Sequence, residues 1–189
     1  MRFCMFTPIA HEVRGWPGRI EGDRVIQLAA QTLESFFTGG GTAREHAVYP
    51  LVDVDLLAPI LRPPSIRWFE DDRTFTFGNT ASIYARGEPI PVPDAESVLR
   101  VAAVIGADER IAGFTPVEEY RAPALPPPKD RDFAVGLGPT VVTRDELEPA
   151  GFAWDDAAAW AGLNTKLRPG DLLVAPVGVA FEYDPSDQT

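Results

Sequence analysis

Residues 98–106 read VLRVAAVIG and form the most apolar run of this chain, interrupted by one basic side chain, Arg100. Short runs of aliphatic and β-branched residues that end in a glycine-containing turn are typical of buried strands. Residues 106–110, GADER, supply that turn, and residues 113–115, GFT, begin the next segment. We therefore expect a β-rich core built around residues 98–115.

Strand patterns also occur on both sides of this run, whereas helical spacing is confined to three segments. Prolines 59, 63 and 64 mark a boundary, because proline fixes φ and disfavours helix in the preceding residue. We predict a small N-terminal α/β domain over residues 1–58 and a β-rich core domain over residues 59–189. The predicted helices are 27–37, 42–49 and 154–162; the predicted strands are 2–8, the hairpin 16–26, 65–69, 75–84, 98–105, 136–143, 172–177 and 179–183.

Composition limits the classes of partner. The chain has 189 residues and a formal net charge of −11, which disfavours nucleic-acid backbones and anionic membranes as partners because both would be repelled. No apolar run approaches the roughly 18 residues of a membrane span. Cys4 is the single cysteine, so no internal disulfide can form and a reducing compartment, the cytoplasm, is expected. Both histidines, His11 and His46, lie in the first quarter of the chain, so any chemistry beyond residue 46 proceeds without imidazole.

Seven phrases, in order along the chain, together resemble the fumarylacetoacetate hydrolase family. Most of the residues that carry the resemblance are glycine and proline, so it supports the fold more than the activity. It implies an α+β protein with a small N-terminal α/β unit on a mixed β-roll, here shortened, and a homodimer is expected. The phrases are GRIEGDRVI at 18–26, LLAPILRPPSI at 56–66, GEPIPVP at 87–93, VAAVIG at 101–106, GFT at 113–115, LGPTVVTRDEL at 137–147 and LRPGDLL at 167–173.

The resemblance implies metal-dependent chemistry that this chain departs from. In the family, two Glu and one Asp hold a divalent cation that polarises a dicarbonyl substrate, and a loop histidine acts as the base for C–C bond hydrolysis. The two Glu positions fall on Val98 and Arg100, and the Asp position falls on Glu119. The histidine loop is missing after Phe69. We therefore expect no metal and no cofactor, and a metal-dependent C–C hydrolase is disfavoured.

The substitution itself suggests a replacement for the cation. If Glu119 keeps its place, Arg100 and Glu119 should form an ion pair near the family's metal position. A guanidinium is a permanent cation with a planar donor fork, so it can orient a carboxylate or enolate oxygen. The competing interpretation is a purely structural pair, because buried charges must be paired whatever the function. Glu118 is a further acid–base candidate beside Glu119.

Four residues are candidates for contacting a substrate. Tyr120 follows the predicted catalytic glutamates, Lys129 lies in the proline-rich segment 121–132, Trp68 lies beside the deleted loop, and Val98 occupies one of the implied ligand positions. A displaced metal site on Asp94 and Glu96 remains an alternative; an acidic turn before a buried strand is the competing interpretation.

Two functions of different classes follow. The first is a metal-independent enzyme that rearranges a small or polyketide-like carbonyl compound by isomerisation, cyclisation or elimination. The second is a catalytically inactive relative that binds a ligand or a partner protein. The retained phrases of the pocket strands favour the enzyme, whereas the shortened β-roll favours the binding protein.

Overall fold

The structure of the protein is a computed structural model, which describes residues 1–9 and 15–181. Over these residues, thirteen strands form one mixed sheet, and two short α-helices pack against it. The helices are α1 (Leu33–Thr38) and α2 (Trp154–Gly162). The strands are β1 (Arg2–Pro8), β2 (Trp16–Glu21), β3 (Arg24–Leu28), β4 (Glu45–Pro50), β5 (Val54–Leu57), β6 (Ile66–Phe69), β7 (Phe75–Phe77), β8 (Ile83–Ala85), β9 (Glu96–Ile105), β10 (Ile111–Arg121), β11 (Val135–Leu137), β12 (Thr140–Thr143) and β13 (Leu172–Val174).

The sheet runs in the order β4-β3-β2-β1-β12-β10-β9-β13-β6-β7 and branches at two points. Strand β5 pairs with the second half of β1, and β11 pairs with the second half of β10 and with β8. Only β11–β8 and β13–β6 are parallel pairs among the described strands. Because β1 also pairs with β12, the N-terminal segment is hydrogen-bonded to the later part of the chain; the predicted boundary near residue 58 stays a prediction.

The long hairpin of β9 and β10 divides two apolar clusters, because successive residues of a strand point to opposite faces. On one face, Ala102, Val104 and Val117 pack with residues of α1 and β13. On the other face, Val101 and Phe114 pack against α2. This explains why residues 98–106 are so apolar: from Arg100 to Gly106 the strand is buried on both faces.

The sequence predicts β1, β2, β3, β6, β9 and α2 at nearly their observed positions, but one predicted helix begins later than expected and another is wrong. The segment 27–37 continues β3 to Leu28, and the helix begins only at Leu33, where Thr32 caps it through a hydrogen bond from the Ser35 amide. The segment 42–49 contains β4 instead of a helix, because its backbone pairs with β3. Sheet pairing has overridden a weak local helical pattern here.

Other predicted strands are divided or shorter. The segment 75–84 contains β7 and the start of β8, and the segment 136–143 contains β11 and β12 on either side of Gly138 and Pro139. The predicted strand 172–177 ends at Val174. Residues 179–181 are not in a strand, and the rest of the predicted strand 179–183 lies outside the described residues. His11 also lies outside them, and His46 is exposed on β4.

Candidate functional site

The antiparallel strands β9 and β10 carry most of the predicted site residues. Their register places Val98 opposite Glu119 and Arg100 opposite Val117, so these four side chains share one face of the sheet. The predicted ion pair is present, with Arg100 Nη1 donating to Glu119 Oε2 at 2.8 Å. Strand alternation and register therefore explain how two residues 19 positions apart come into contact.

Arg100 is fixed by protein groups on several sides. Its Nε donates to the Ala175 carbonyl at 2.8 Å, and its Nη2 donates to the Phe69 carbonyl at 2.7 Å. The guanidinium carbon lies 5.1 Å from the centroid of the Trp68 ring, within the range of a cation–π contact. Arg100 is only 8% exposed, so its permanent charge is held in a nearly dry position.

Trp68 is itself held in place by a glycine. A Cβ atom at Gly78 would lie 2.3 Å from Trp68 Nε1, so the indole packs directly against the backbone there. Any larger residue at position 78 would have to displace the ring that covers Arg100. The structure thus joins Trp68, one of the predicted substrate-contacting residues, to the Arg100–Glu119 pair.

Glu119 bridges two arginines. Its Oε2 accepts the bond from Arg100, while its Oε1 accepts from Arg121 Nε at 3.1 Å and from Arg121 Nη2 at 2.7 Å. Glu119 is 5% exposed, whereas the Arg121 side chain is 44% exposed. The cluster of Arg100, Glu119 and Arg121, called here the arginine–glutamate cluster, therefore carries one excess positive charge and reaches solvent through Arg121.

Comparison with solved structures places this geometry in a known fold. No protein-family model and no curated protein matches the sequence. The structure is similar to maleylpyruvate hydrolase from Sphingobium sp. SYK-6, with a TM-score of 0.71 and 18% sequence identity over 97% of this chain and 92% of that chain. The same enzyme in complex with manganese(II) and pyruvate matches with a TM-score of 0.68 and 17% identity over 95% and 90% of the two chains. A 2-keto-3-deoxy-D-arabinonate dehydratase complexed with magnesium and 2,5-dioxopentanoate matches with a TM-score of 0.68 and 12% identity over 98% and 90%.

The chain has a fumarylacetoacetate hydrolase-like fold. The resemblance carried by the seven sequence phrases is thereby confirmed at the level of the fold. At identities of 12–18%, the similarity speaks for the fold and not for the activity.

The residues of this fumarylacetoacetate hydrolase-like fold do not fit a divalent cation at the implied position. Hard cations such as Mg²⁺ and Mn²⁺ need several oxygen ligands. Val98 offers no oxygen, the Arg100 guanidinium brings a positive charge, and both Glu119 oxygens accept hydrogen bonds from arginines. Within residues 1–9 and 15–181, no group of three or more His, Cys, Asp or Glu side chains is arranged to hold a metal ion.

The structure separates Glu118 and Tyr120 from this cluster. They lie on the opposite face of β10, because successive strand residues alternate. Tyr120 Oη donates to Glu118 Oε2 at 2.6 Å, and Arg86 Nε lies 3.4 Å from Glu118 Oε1. Burial, reinforced by the hydrogen bond to Glu118, raises the pKa of Tyr120 to about 12. The Glu118 carboxylate therefore has a polar environment of its own, on the face of β10 opposite the Arg100–Glu119 pair.

The remaining predicted residues are peripheral. Lys129 lies on the proline-rich segment, its side chain is 71% exposed, and its ammonium pairs with Asp132 at 2.7 Å. Asp94 lies in a turn and Glu96 is the first residue of β9, and both are exposed. Val98 is half-buried beside the arginine–glutamate cluster, directly across from Glu119.

Sequence reasoning missed Arg121 as a member of the arginine–glutamate cluster. The signal was present, because residues two apart on a strand share a face and Arg121 follows Glu119 by two. The backbone carbonyls of Phe69 and Ala175 were not foreseeable, because they come from chain segments distant in sequence from Arg100.

Neither helix of the described residues has the length and hydropathy of a membrane-spanning segment.

Proposed function

We propose that this chain is a metal-independent enzyme that rearranges a small or polyketide-like carbonyl compound by isomerisation, cyclisation or elimination, without hydrolysis. The observation that carries the proposal is the buried Arg100 guanidinium, hydrogen-bonded to Glu119 and two backbone carbonyls at the position where the resemblance puts a metal. The excess positive charge of the arginine–glutamate cluster, which reaches solvent at Arg121, supplies the electrostatic stabilisation of an enolate oxygen that a metal would otherwise supply.

Arg121 is the group in the arginine–glutamate cluster best placed to receive a substrate. Two of its nitrogens donate to Glu119, and Nη1 has no hydrogen-bond partner within the described residues. A half-exposed guanidinium with free N–H groups is suited to binding a carboxylate or carbonyl oxygen. Trp68 and Val98 provide half-buried apolar surface next to the same cluster.

Glu119 supplies the proton-accepting group of the proposal. A carboxylate oxygen has two lone-pair positions, and Oε2 receives one hydrogen bond, from Arg100. In the proposal, its second position accepts a proton from the carbon next to a substrate carbonyl. Isomerisation returns a proton to the same conjugated system, so the reaction consumes no water and needs no histidine.

The compounds in the similar structures agree with this substrate class. Pyruvate and 2,5-dioxopentanoate are small carboxylates that carry a carbonyl next to the carboxyl group. We extend that class to this chain as part of the proposal, with Arg121 taking the carboxylate. We also propose a homodimer, a cytoplasmic location, a distinct N-terminal unit and a shortened β-roll.

One observation favours a second candidate, a protein that binds such a ligand without turning it over. Arg100 and Glu119 are 8% and 5% exposed, so the two groups proposed for chemistry are nearly closed to solvent. In that case Arg121 binds the ligand, and the buried pair serves only to fix Arg121.

Deuterium exchange separates these candidates. Pyruvate in D₂O with a chelator is followed by proton NMR, and the enzyme proposal expects faster loss of methyl protons than with Arg121→Ala. If calorimetry shows that pyruvate binds but exchange is not faster, the binding protein is supported. If pyruvate and a 1,3-dicarbonyl compound show neither binding nor faster exchange, both candidates are refuted.

A metal titration tests independence from a cation. Calorimetry with Mn²⁺, Mg²⁺ and Ca²⁺ is expected to show no stoichiometric binding to the natural sequence. The double variant Val98→Glu, Arg100→Glu is the matched control, because it places carboxylates on the face that carries Glu119. Tight stoichiometric binding of any of these metal ions to the natural chain would overturn the proposal and favour a metal-dependent hydrolase instead.

A further inference from the structure

A cavity of about 550 Å³ lies on the face of β6 opposite the arginine–glutamate cluster, between the β6–β7 hairpin and the end of α2. Its volume falls within the roughly 300–1,000 Å³ of small-molecule sites. Three of its apolar side chains are unusually exposed for their size: Phe77 at 70%, Leu163 at 55% and Trp160 at 40%. The residues that line it are Arg67, Arg73, Thr74, Phe75, Phe77, Trp160, Ala161, Leu163, Asn164 and Thr165.

Arg67 lines this cavity and is only 4% exposed. Its guanidinium carbon lies 5.6 Å from the Phe75 ring centroid and 5.7 Å from that of Phe77, so aromatic rings flank the charge. Its Nε is buried and has no hydrogen-bond partner within the described residues. A buried arginine with an unsatisfied donor is costly unless another group completes it.

A structural role explains only part of this arrangement. Arg67 Nη1 donates to the Ala161 carbonyl at 3.0 Å, which satisfies one of the unpaired carbonyls in the last turn of α2. That bond leaves Nε without a partner. Asp171 is the acidic residue whose charge acts on Arg67, and its two oxygens accept hydrogen bonds from Ser65 Oγ and the Arg168 amide. No ion pair joins Arg67 to an acidic side chain among the described residues.

The charge of the cavity contrasts with that of the whole chain. The formal net charge of the chain is −11, yet the described residues that line the cavity include two arginines and no Asp or Glu. The second cation, Arg73, lies at the exposed rim, and among residues 1–9 and 15–181 no hydrogen bond or ion pair engages its guanidinium. The two arginines give the cavity a local positive charge, which attracts an anion even though the chain as a whole is acidic.

We propose that this cavity binds a small planar aromatic carboxylate. The ligand ring lies against Phe77 and Trp160, and its carboxylate accepts hydrogen bonds from the guanidinium groups of Arg67 and Arg73. Aromatic side chains stack on a flat ring, and a guanidinium matches the two oxygens of a carboxylate. This binding site lies on the opposite face of β6 from Trp68 and does not depend on the chemistry proposed there.

Calorimetry with 1-naphthoate tests the proposal, with 1-naphthamide as the uncharged analogue of the same shape. We expect 1:1 binding of the naphthoate and at least about tenfold weaker binding of the amide, since hydrogen bonds to a charged group are worth about 1.5–3 kcal/mol. Arg73→Ala and Phe77→Ala change exposed side chains, so both variants are expected to fold, and each should weaken naphthoate binding severalfold. Arg67→Met should abolish it, with thermal melting as the check on folding.

Two controls locate the bound ligand. Arg62→Ala removes an exposed arginine outside the cavity lining and should leave naphthoate binding unchanged. Arg121→Ala should also leave it unchanged, because Arg121 belongs to the other face. Equal binding of naphthoate and naphthamide, no binding of naphthoate, loss of binding in Arg121→Ala, or unchanged binding in both Arg73→Ala and Phe77→Ala would overturn the proposal.

Discussion

A double-mutant cycle on Arg100 and Glu119 gives the sharpest test of how the buried pair is held. The single variants are Arg100→Met and Glu119→Leu, and the double variant carries both. Glu119→Leu leaves the Arg100 guanidinium buried with only two backbone carbonyls as acceptors. Arg100→Met is less severe for its partner, because Glu119 keeps both bonds from Arg121.

The magnitude follows from burial. The two side chains are each 6% exposed and 2.8 Å apart, so removing either one leaves a charge that water cannot fully solvate. Breaking a buried pair in this way typically costs about 3–5 kcal/mol, a large part of the roughly 5–15 kcal/mol stability of a domain. The double variant replaces the pair with apolar side chains and should recover part of this loss, giving a coupling energy of about 1–3 kcal/mol.

Urea unfolding followed by tryptophan fluorescence measures the free energy of unfolding of all four proteins. The Lys129–Asp132 pair is the matched control, because its 2.7 Å separation is as short but its lysine is 71% exposed. Its cycle with alanine variants should give a coupling energy of about 1 kcal/mol or less. If the Arg100 and Glu119 effects simply add, to within about 0.5 kcal/mol, the two residues are not an energetic unit and the reasoning fails.

Three further outcomes are expected. The pKa of Tyr120 is raised to about 12, so its contribution to stability is fully present below its unfolded pKa of about 10 and is lost as the pH rises through 12. Tyr120→Phe should therefore flatten the fall of the free energy of unfolding over this pH range. An unchanged pH dependence in the variant would contradict this. Burial raises the pKa of the Cys4 thiol, so a thiol reagent should label Cys4 only after denaturation, and rapid labelling of the native protein would refute its burial. Gly113→Ala would place a Cβ 2.3 Å from a backbone carbonyl of β12 and should lower the melting temperature by several degrees. Gly39→Ala is the control: Gly39 has a φ of −77° and a Cβ there makes no contact under 3.4 Å, so this variant should melt near the temperature of the natural protein. Equal melting temperatures of the two variants would contradict the packing at Gly113.

The parts of the fold that could be predicted are those in which local pattern and burial agree. Residues 100–106 are buried on both faces, so the apolar composition of this segment was sufficient to predict a strand. Segment 42–49 had no such agreement: its side chains are mostly exposed, and the pairing with β3 that makes it a strand is a property of the folded sheet. Tertiary pairing decides such weakly patterned segments.

In the candidate site, only the contacts that follow from strand alternation and register could be predicted. The contact between Arg100 and Glu119 required only strand alternation and an approximate register, and both were available from the sequence. Grouping Glu118 with Glu119 conflicted with that same alternation, and the structure places the two side chains on opposite faces. The excess positive charge at Arg121 depends on the hydrogen bond from its side chain to Glu119 in the same strand. Strand alternation allows this contact but does not require it.

In the proposed function, a tethered cation takes the place of an exchangeable metal ion, and this changes where a ligand can bind. A bound metal ion keeps open coordination positions to which a substrate oxygen can bind directly. Three nitrogens of the Arg100 guanidinium are already engaged by Glu119, Phe69 and Ala175, and Trp68 covers one side. The exposed N–H groups of the cluster therefore belong to Arg121, so a ligand must approach from that end. We therefore expect the affinity for a carboxylate ligand to fall more in Arg121→Ala than in any variant in which Arg121 stays hydrogen-bonded to Glu119.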